Sequence, residues 1–221
     1  MILSFSDLYP RRSKERLSFY NYETYSALFQ ALPLSVLTEK TLVPLLTAYC
    51  RMEVMHEPFF RAACEKVVSG EIELQGHELV ELLRFHRRLD LKDARLFEVI
   101  AEVVDLRFPY FSEDDIGEIA RSFCAMKHYS PILVETFRRE LPLRIHEYSW
   151  WNLIDIAEMY LDLQIEDADI IQRIGTEVFK LVLSMRQEYT AKALKVLAFL
   201  ETSDKRTFRL LIRTLPRSIA E

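Results

Sequence analysis

Three stretches at 37-residue spacing decide the fold: ELLRFHRRLDL at 81–91, EIARSFCAMKH at 118–128 and DIAEMYLDLQI at 155–165. Their apolar residues follow steps of three and four, which is the spacing of one face of an α-helix. The same spacing surrounds anchor residues that also step by 37 along the chain: Leu46, Leu83, Ala120, Ala157 and Leu194. Such a period is typical of stacked helical hairpins, which usually present a surface rather than a catalytic site.

Each repeat has an inward face on both of its predicted helices. In the third copy the first helix contributes Ile116, Ile119, Ala120, Phe123 and Met126, and the second contributes Leu133, Val134, Phe137 and Leu141. Across five copies only His86, Thr190 and Thr207 are not apolar at these positions, although the hydrophobic content of the chain is 50%. Composition alone does not produce this pattern.

A 35-residue step, which is the pentatricopeptide spacing, fits the chain less well. It moves the apolar anchors onto charged residues: Glu81, Glu118, Asp155 and Lys192. We expect these residues to lie outside the core, because an unpaired charge is costly to bury.

The fold class that follows is all-α. We predict an α-solenoid of about five stacked antiparallel helix pairs, preceded by residues 1–37 as an extension with an irregular N-terminal cap helix. Thr38, Ser112 and Ser149 are predicted to cap first helices, whereas Gln75 and Arg186 hold the same repeat position and are poorer caps. The predicted repeats are 38–74, 75–111, 112–148, 149–185 and 186–221.

Composition narrows the class of protein. The 221 residues carry a net charge of −5, with 4 Gly and 12% aromatic residues, and no apolar run is long enough to cross a bilayer. Cys50, Cys64 and Cys124 form no CxxC pair, so buried free thiols in a reducing compartment are favoured over metal ligands.

No pattern for catalysis or for a cofactor stands out. The sequence has no glycine-rich phosphate loop, no HExxH and no serine at a strand-to-helix elbow. His86 occupies a core position and is predicted to be a hydrogen-bonded core or boundary histidine rather than a base. Glu166, Asp167 and Asp169 lack the ligand spacing of a calcium loop, which favours a solvated turn. We therefore expect no enzyme, no cofactor and no metal.

Basic residues are unevenly distributed and are candidates for contact with RNA phosphates. Arg206, Arg209 and Arg213 fall on one face of the last predicted helix, with Lys205 and Arg217 nearby. The same stripe also suits a terminal helix that faces water, and both interpretations stay open. Arg84 and Arg88 belong to a smaller cluster with Arg87, Lys92 and Arg95, and Arg138, Arg139 and Arg144 form another.

Trp150 and Trp151 open the first helix of the fourth repeat, where the previous repeat has Glu113 and Asp114. This replacement predicts exposure and a protein interface, although one tryptophan packing on the preceding segment is the alternative. Glu166 and Asp167, in the same acidic repeat, are predicted to belong to that interface.

The cap, the Leu-x-x-Leu-Leu or Ile-x-x-Ile-Ala core and the 37-residue length resemble the heptatricopeptide repeat over about residues 38–221. Similar helical arrays precede RAP domains and occur in FAST-kinase-like proteins, and octotricopeptide repeats are close relatives. The resemblance implies a mitochondrial or plastid protein that binds organellar RNA, as ribosome components and RNA-processing factors do.

Two functional hypotheses remain. In the first, the chain is a non-catalytic component of a mitochondrial ribosome or another organellar ribonucleoprotein, in contact with rRNA and neighbouring proteins. In the second, it is a structural accessory subunit of a mitochondrial assembly such as the ATP synthase or a respiratory complex, without RNA contact. Four basic residues among the serines of residues 1–20 resemble a mitochondrial targeting segment, although Asp7, Pro10 and Glu15 weaken that resemblance.

Overall fold

The structure is a computed structural model that describes residues 27–28, 30–52 and 56–181. Over these residues it contains eight α-helices and no β-strand, which confirms the all-α prediction for this part of the chain. The helices are α1 (Glu39–Met52), α2 (Glu57–Val68), α3 (Gly76–Leu89), α4 (Ala94–Arg107), α5 (Glu113–Met126), α6 (Pro131–Arg144), α7 (Trp150–Asp162) and α8 (Ala168–Leu181). Short 3₁₀ segments span Leu34–Val36, Phe108–Tyr110 and Ile145–Glu147.

The helix boundaries repeat with the period of the sequence. The first helices α1, α3, α5 and α7 begin at Glu39, Gly76, Glu113 and Trp150, and each start is 37 residues after the last. The second helices α2, α4, α6 and α8 begin at Glu57, Ala94, Pro131 and Ala168, with the same step. The apolar period of the sequence is therefore also a period of backbone structure.

The ends of the first helices repeat as well. Asp90, Lys127 and Gln164 share one repeat position, and each adopts a left-handed backbone conformation with φ of 51°, 52° and 56°. In each case the next N–H bonds to the carbonyl five residues earlier, as from His128 to Phe123 at 3.0 Å. This is the Schellman arrangement, which satisfies carbonyls left free at a helix end. Because none of these three residues is glycine, each left-handed backbone conformation costs about 1 kcal/mol.

Helix capping follows the prediction at Ser112 and departs from it at Ser149. Ser112 Oγ accepts from Asp115 N–H at 3.2 Å, as predicted. The Ser149 side chain makes no cap bond; instead its N–H donates to Glu113 Oε2 at 2.8 Å. At Gln75 the side chain makes no separate cap bond, as expected of a poorer cap, and Glu78 compensates, because its Oε2 accepts from Gln75 N–H at 2.8 Å. Thr38 N–H donates to Thr41 Oγ1 at 2.9 Å.

The predicted inward positions form the core. In the four repeats that the structure describes, they are buried except for Leu89 and Leu163, which are half-buried, and Met52, whose side chain is not described. The fifth predicted repeat, 186–221, and most of the predicted cap, 1–37, lie outside the described residues. Each helix pair therefore buries the face that the sequence assigns to it.

The chain divides into two compact units, Met1–Val99 and Ile100–Glu221. In the first unit α1 packs against α3. Aromatic rings pack between α1 and α2, with the Tyr49 ring centroid 4.6 Å from that of Phe59 and 5.5 Å from that of Phe60.

In the second unit α7 lies between two neighbours, with α5 along one side and α8 on the other. Gly117 on α5 permits the close approach to α7, because a Cβ at this position would clash with Asn152 Oδ1 and would lie 2.8 Å from Asn152 Cγ. Asn152 cannot easily move away, since it is 2% exposed and its Nδ2 donates to Asp114 Oδ1 at 2.9 Å.

Replacing Gly117 with Ala tests this contact. The clash with Asn152 should cost about 1–3 kcal/mol, which exceeds the gain in helix propensity of about 1 kcal/mol. We expect the free energy of unfolding to fall by about 1 kcal/mol in urea denaturation. In the double variant Gly117→Ala/Asn152→Ala the clash disappears, so the two changes should cost less together than the sum of the single changes. Strict additivity would contradict the contact.

Candidate interaction surfaces

Five basic residues lie at the C-terminal end of α3 and in the segment before and at the start of α4: Arg84, Arg87, Arg88, Lys92 and Arg95. We call them the α3 basic cluster. All are exposed except Arg87, which is half-buried. Between Arg84 and Arg95 the chain has only two acidic residues, Asp90 and Asp93, and Asp93 Oδ1 caps α4 by accepting from Arg95 N–H at 3.1 Å. The stretch 84–95 therefore carries a net positive charge.

Two of the predicted phosphate contacts, Arg84 and Arg88, are one turn apart on α3 and share a face. Arg84 also forms an ion pair with Glu81, in which the two side chains are 45% and 35% exposed. A pair this exposed contributes little and can exchange for another anion. The other predicted contacts, Lys205, Arg206, Arg209, Arg213 and Arg217, lie outside the described residues, so their role stays a prediction.

The arginines of α6 are engaged by carboxylates. Arg138 Nε is 2.9 Å from Asp167 Oδ2, and its Nη1 is 2.7 Å from Glu135. Arg139 pairs with Glu140 at 2.7 Å and with Asp105 of α4 at 2.9 Å. These bonds raise the pKa of both guanidinium groups. A hydrogen bond from Thr136, and then one from Arg139, lowers the pKa of Asp105.

The two tryptophans have different environments. Trp150 is 6% exposed, so its predicted exposure is wrong. It begins α7, which buries ten of its 13 residues. Trp151 is 39% exposed, as predicted, and its ring meets Trp150 edge to face with centroids 5.2 Å apart. The protein-interface role stays a prediction for Trp151.

Glu166 and Asp167 also differ from each other. Glu166 is exposed, as a turn residue should be. The Asp167 side chain is 6% exposed, because Oδ2 pairs with Arg138 and Oδ1 accepts from Ile170 N–H at 3.2 Å. Asp167 therefore has a structural role as the cap of α8, and Glu166 is the member of the pair that a partner can reach.

A buried polar network that the sequence analysis missed connects α5 and α7. Glu118 is 4% exposed and Asp155 is 2% exposed, so the expectation that these charges lie outside the core is wrong. They can be buried because Arg121 pairs with both: Nη1 is 2.9 Å from Glu118 Oε2, and Nε is 3.1 Å from Asp155 Oδ2. The sequence offers one indication of this network: Glu118 and Asp155 occupy the same repeat position.

Cys64 and His86 form a buried pair between α2 and α3. Cys64 Sγ is 2.9 Å from His86 Nε2, and His86 Nδ1 is 2.8 Å from Leu82 O. Since the Leu82 carbonyl can only accept, Nδ1 carries the proton and Nε2 accepts from the thiol. Burial raises the pKa of Cys64 to about 12 and lowers the pKa of His86. The prediction of a hydrogen-bonded core histidine is confirmed.

The other cysteines and the candidate metal ligands give a mixed result. Cys64 is a buried free thiol as predicted, Cys124 is a half-buried free thiol, and the side chain of Cys50 is outside the described residues. Across residues 27–28, 30–52 and 56–181, no group of three or more His, Cys, Asp or Glu side chains is arranged to hold a metal ion. No helix in this part of the chain combines the length and apolar character of a membrane span.

Arg121→Ala tests the buried network. It leaves two buried carboxylates without this guanidinium, which should lower the free energy of unfolding by about 2–3 kcal/mol even though the Arg121 side chain is 37% exposed. Arg173→Ala is the matched control, because its pair with Asp169 is exposed on both sides and should matter by less than about 1 kcal/mol. If chemical denaturation gives both variants the same loss of unfolding free energy, the buried network stabilises the protein no more than an exposed ion pair does.

The lowered pKa of His86 predicts acid destabilisation. The unfolded histidine, with its pKa near 6.5, binds a proton that the folded protein does not, so the free energy of unfolding should fall as the pH drops below 6.5. His86→Phe should remove that contribution, and Phe123 holds the equivalent position in α5. The control is His77→Phe, at an exposed position, which should leave the pH dependence of the free energy of unfolding unchanged. Identical pH profiles of stability for both variants would contradict the assignment.

Two comparisons with known proteins identify no relative of this chain. No protein-family model matches the chain, and a search of curated proteins finds no match either. The resemblance to the heptatricopeptide repeat therefore stays a prediction from the sequence pattern.

Proposed function

We propose that the chain is a non-catalytic helical-repeat scaffold in a mitochondrial ribosome or another organellar ribonucleoprotein, which contacts rRNA and neighbouring proteins. The observation that carries this proposal is the 37-residue recurrence of helix starts together with burial of the same inward positions in each repeat. Because packing uses the inward face, the outward face is free to contact partners.

The proposal includes stacking of the helix pairs into an α-solenoid. Contacts between equivalent helices support it: α1 with α3 in the first unit, and α5 with α7 in the second. The second helices α6 and α8 also meet, which is the contact expected of two adjacent hairpins.

Contact with RNA is assigned to the α3 basic cluster. Arg84, Arg88, Lys92 and Arg95 are exposed and lie within twelve successive residues, so a single phosphate backbone can meet several of them. The acidic stretch from residue 100 to residue 181 would repel a backbone that followed the whole chain. RNA therefore binds at a patch, not along the repeats as in a one-base-per-repeat reader.

The Cys64–His86 pair, which has the residue types of a nucleophile and its base, supports the non-catalytic assignment. Burial favours the neutral thiol and the neutral imidazole, whereas nucleophilic catalysis needs an accessible thiolate. The mitochondrial location belongs to the same proposal, and it rests on the resemblance of the sequence to organellar repeat proteins and on the basic residues among 1–20.

One observation favours the second candidate, an accessory subunit of a mitochondrial complex such as the ATP synthase or a respiratory complex, without RNA contact. In α5–α8 the guanidinium groups of Arg121, Arg138, Arg139 and Arg173 are held by carboxylates of the chain itself. A guanidinium group that already donates to a carboxylate has fewer N–H groups left to bind a phosphate.

An RNA-binding titration separates the two candidates. We expect the full chain to bind a fluorescein-labelled single-stranded RNA at low salt, with affinity that falls as salt rises. Arg88→Glu/Lys92→Glu should weaken binding about tenfold and flatten the salt dependence. The matched control Lys40→Glu/Lys127→Glu makes the same charge change at exposed positions outside the cluster and should have a smaller effect.

Two results would overturn the RNA assignment. The first is no RNA binding by the wild-type chain at low salt, which would leave the accessory-subunit candidate. The second is an equal loss in the cluster variant and in the control, because binding would then depend on total charge alone. Co-purification of the tagged chain with its native complex would then name the assembly.

A further inference from the structure

In the second unit, segments 108–114 and 145–152 lie side by side and form an edge with exposed aromatic rings. Ser149 N–H donates to Glu113 Oε2 at 2.8 Å, and Arg144 Nη1 donates to Phe111 O at 3.4 Å. Tyr110 is 88% exposed and Trp151 is 39% exposed. We call Tyr110, Asp114 and Trp151 the aromatic–acidic edge.

The Trp151 ring is held in place before any partner arrives. Its edge-to-face contact with the buried Trp150 ring fixes one side, and its Nε1 lies 3.5 Å from Asp114 Oδ1. Asp114 is itself fixed, because the same oxygen accepts from Asn152 Nδ2 at 2.9 Å. A ring and a carboxylate that are already ordered lose little conformational entropy on binding.

The stretch of chain that carries this edge is rich in acidic residues. From residue 100 to residue 181 the chain has twice as many acidic as basic residues. Most of the basic residues are paired with carboxylates of the same unit, including Arg121, Arg138 and Arg144. The net charge of residues 100–181 is therefore negative.

The carboxylates in the first turn of α5 are held by neutral donors. Glu113 accepts from a backbone N–H, Asp114 from an amide, and Asp115 from Ser112 Oγ at 2.7 Å. Within the part of the chain that the structure describes, none of these three carboxylates forms an ion pair. The positive end of the helix dipole amounts to about half a charge, so it offsets only a fraction of their charge.

We propose that the aromatic–acidic edge binds an arginine-rich segment of a partner protein. A guanidinium group stacks on the face of Trp151 and donates to the carboxylate of Asp114, while Tyr110 offers a second ring to a neighbouring cation. Arginine suits this surface better than lysine, because its planar group can stack and donate at once. RNA does not suit it, since the surrounding carboxylates repel phosphate.

This surface goes beyond the proposed RNA contact and does not depend on it. The α3 basic cluster lies in the other unit, and a chain that binds no RNA could still take an arginine-rich protein segment here. The two proposals therefore fail separately, one in a titration with RNA and the other in a titration with a basic peptide.

The test is a fluorescence-anisotropy titration of the full chain with a fluorescein-labelled oligo-arginine peptide, and with an oligo-lysine peptide of equal length. We expect the arginine peptide to bind more tightly. Trp151→Ala should weaken its binding about fivefold through loss of the cation–π contact. Asp114→Asn, which keeps an oxygen for Asn152, should weaken it to a similar extent.

Matched controls decide whether the edge is specific. Tyr129→Ala removes another exposed aromatic ring of the same unit, and Glu102→Gln removes another exposed carboxylate. Both should leave binding within about twofold of the wild type. Circular dichroism of each variant checks that the helices are intact.

Three outcomes would overturn the proposal: no binding by the wild-type chain, equal losses in the edge variants and in the controls, or equal affinity for the arginine and lysine peptides. A loss of RNA binding in Trp151→Ala without a loss of peptide binding would also overturn it, because the edge would then serve RNA.

Discussion

Burial of one apolar face per helix, at positions that recur every 37 residues, is the constraint on which the rest of the structure depends. Each helix must cover that face with another helix, as α1 does with α3 and α7 does with α5 and α8. That requirement fixes where helices start and how they end, as the left-handed residues Asp90, Lys127 and Gln164 show. It leaves the outward residues without a packing role, and these differ from one repeat to the next.

The sequence predicts the helices and the core well, because both follow from one apolar period. It predicts individual side chains less well where a neighbouring helix supplies the partner. Glu118 and Asp155 look like surface charges until Arg121 is placed between them. The start of α3 at Gln75 is capped only through Glu78, and Trp150 is buried in a helix that packs against both α5 and α8. In each case the deciding contact depends on geometry that no single residue type encodes.

The distribution of charge follows from the same division between packing and surface. In the described part of the second unit Arg121, Arg138 and Arg139 connect helices through carboxylates, and acidic residues outnumber basic ones by two to one over residues 100–181. In the first unit the α3 basic cluster faces solvent with only two acidic residues among it. One chain therefore presents two surfaces of opposite charge, which suits a scaffold between RNA and basic proteins better than a binder of a single partner class.

The stacking of successive repeats is tested most directly by spin-label distances between equivalent exposed positions. Arg88, Ala125 and Asp162 are exposed and 37 residues apart. With Cys50, Cys64 and Cys124 replaced by Ala, labels at 88/125 and at 125/162 should both show the short separation of adjacent helices, whose axes are about 10 Å apart. Labels at 88/162 should be about twice as far apart. A long 88/125 distance beside a short 125/162 distance would contradict a continuous stack.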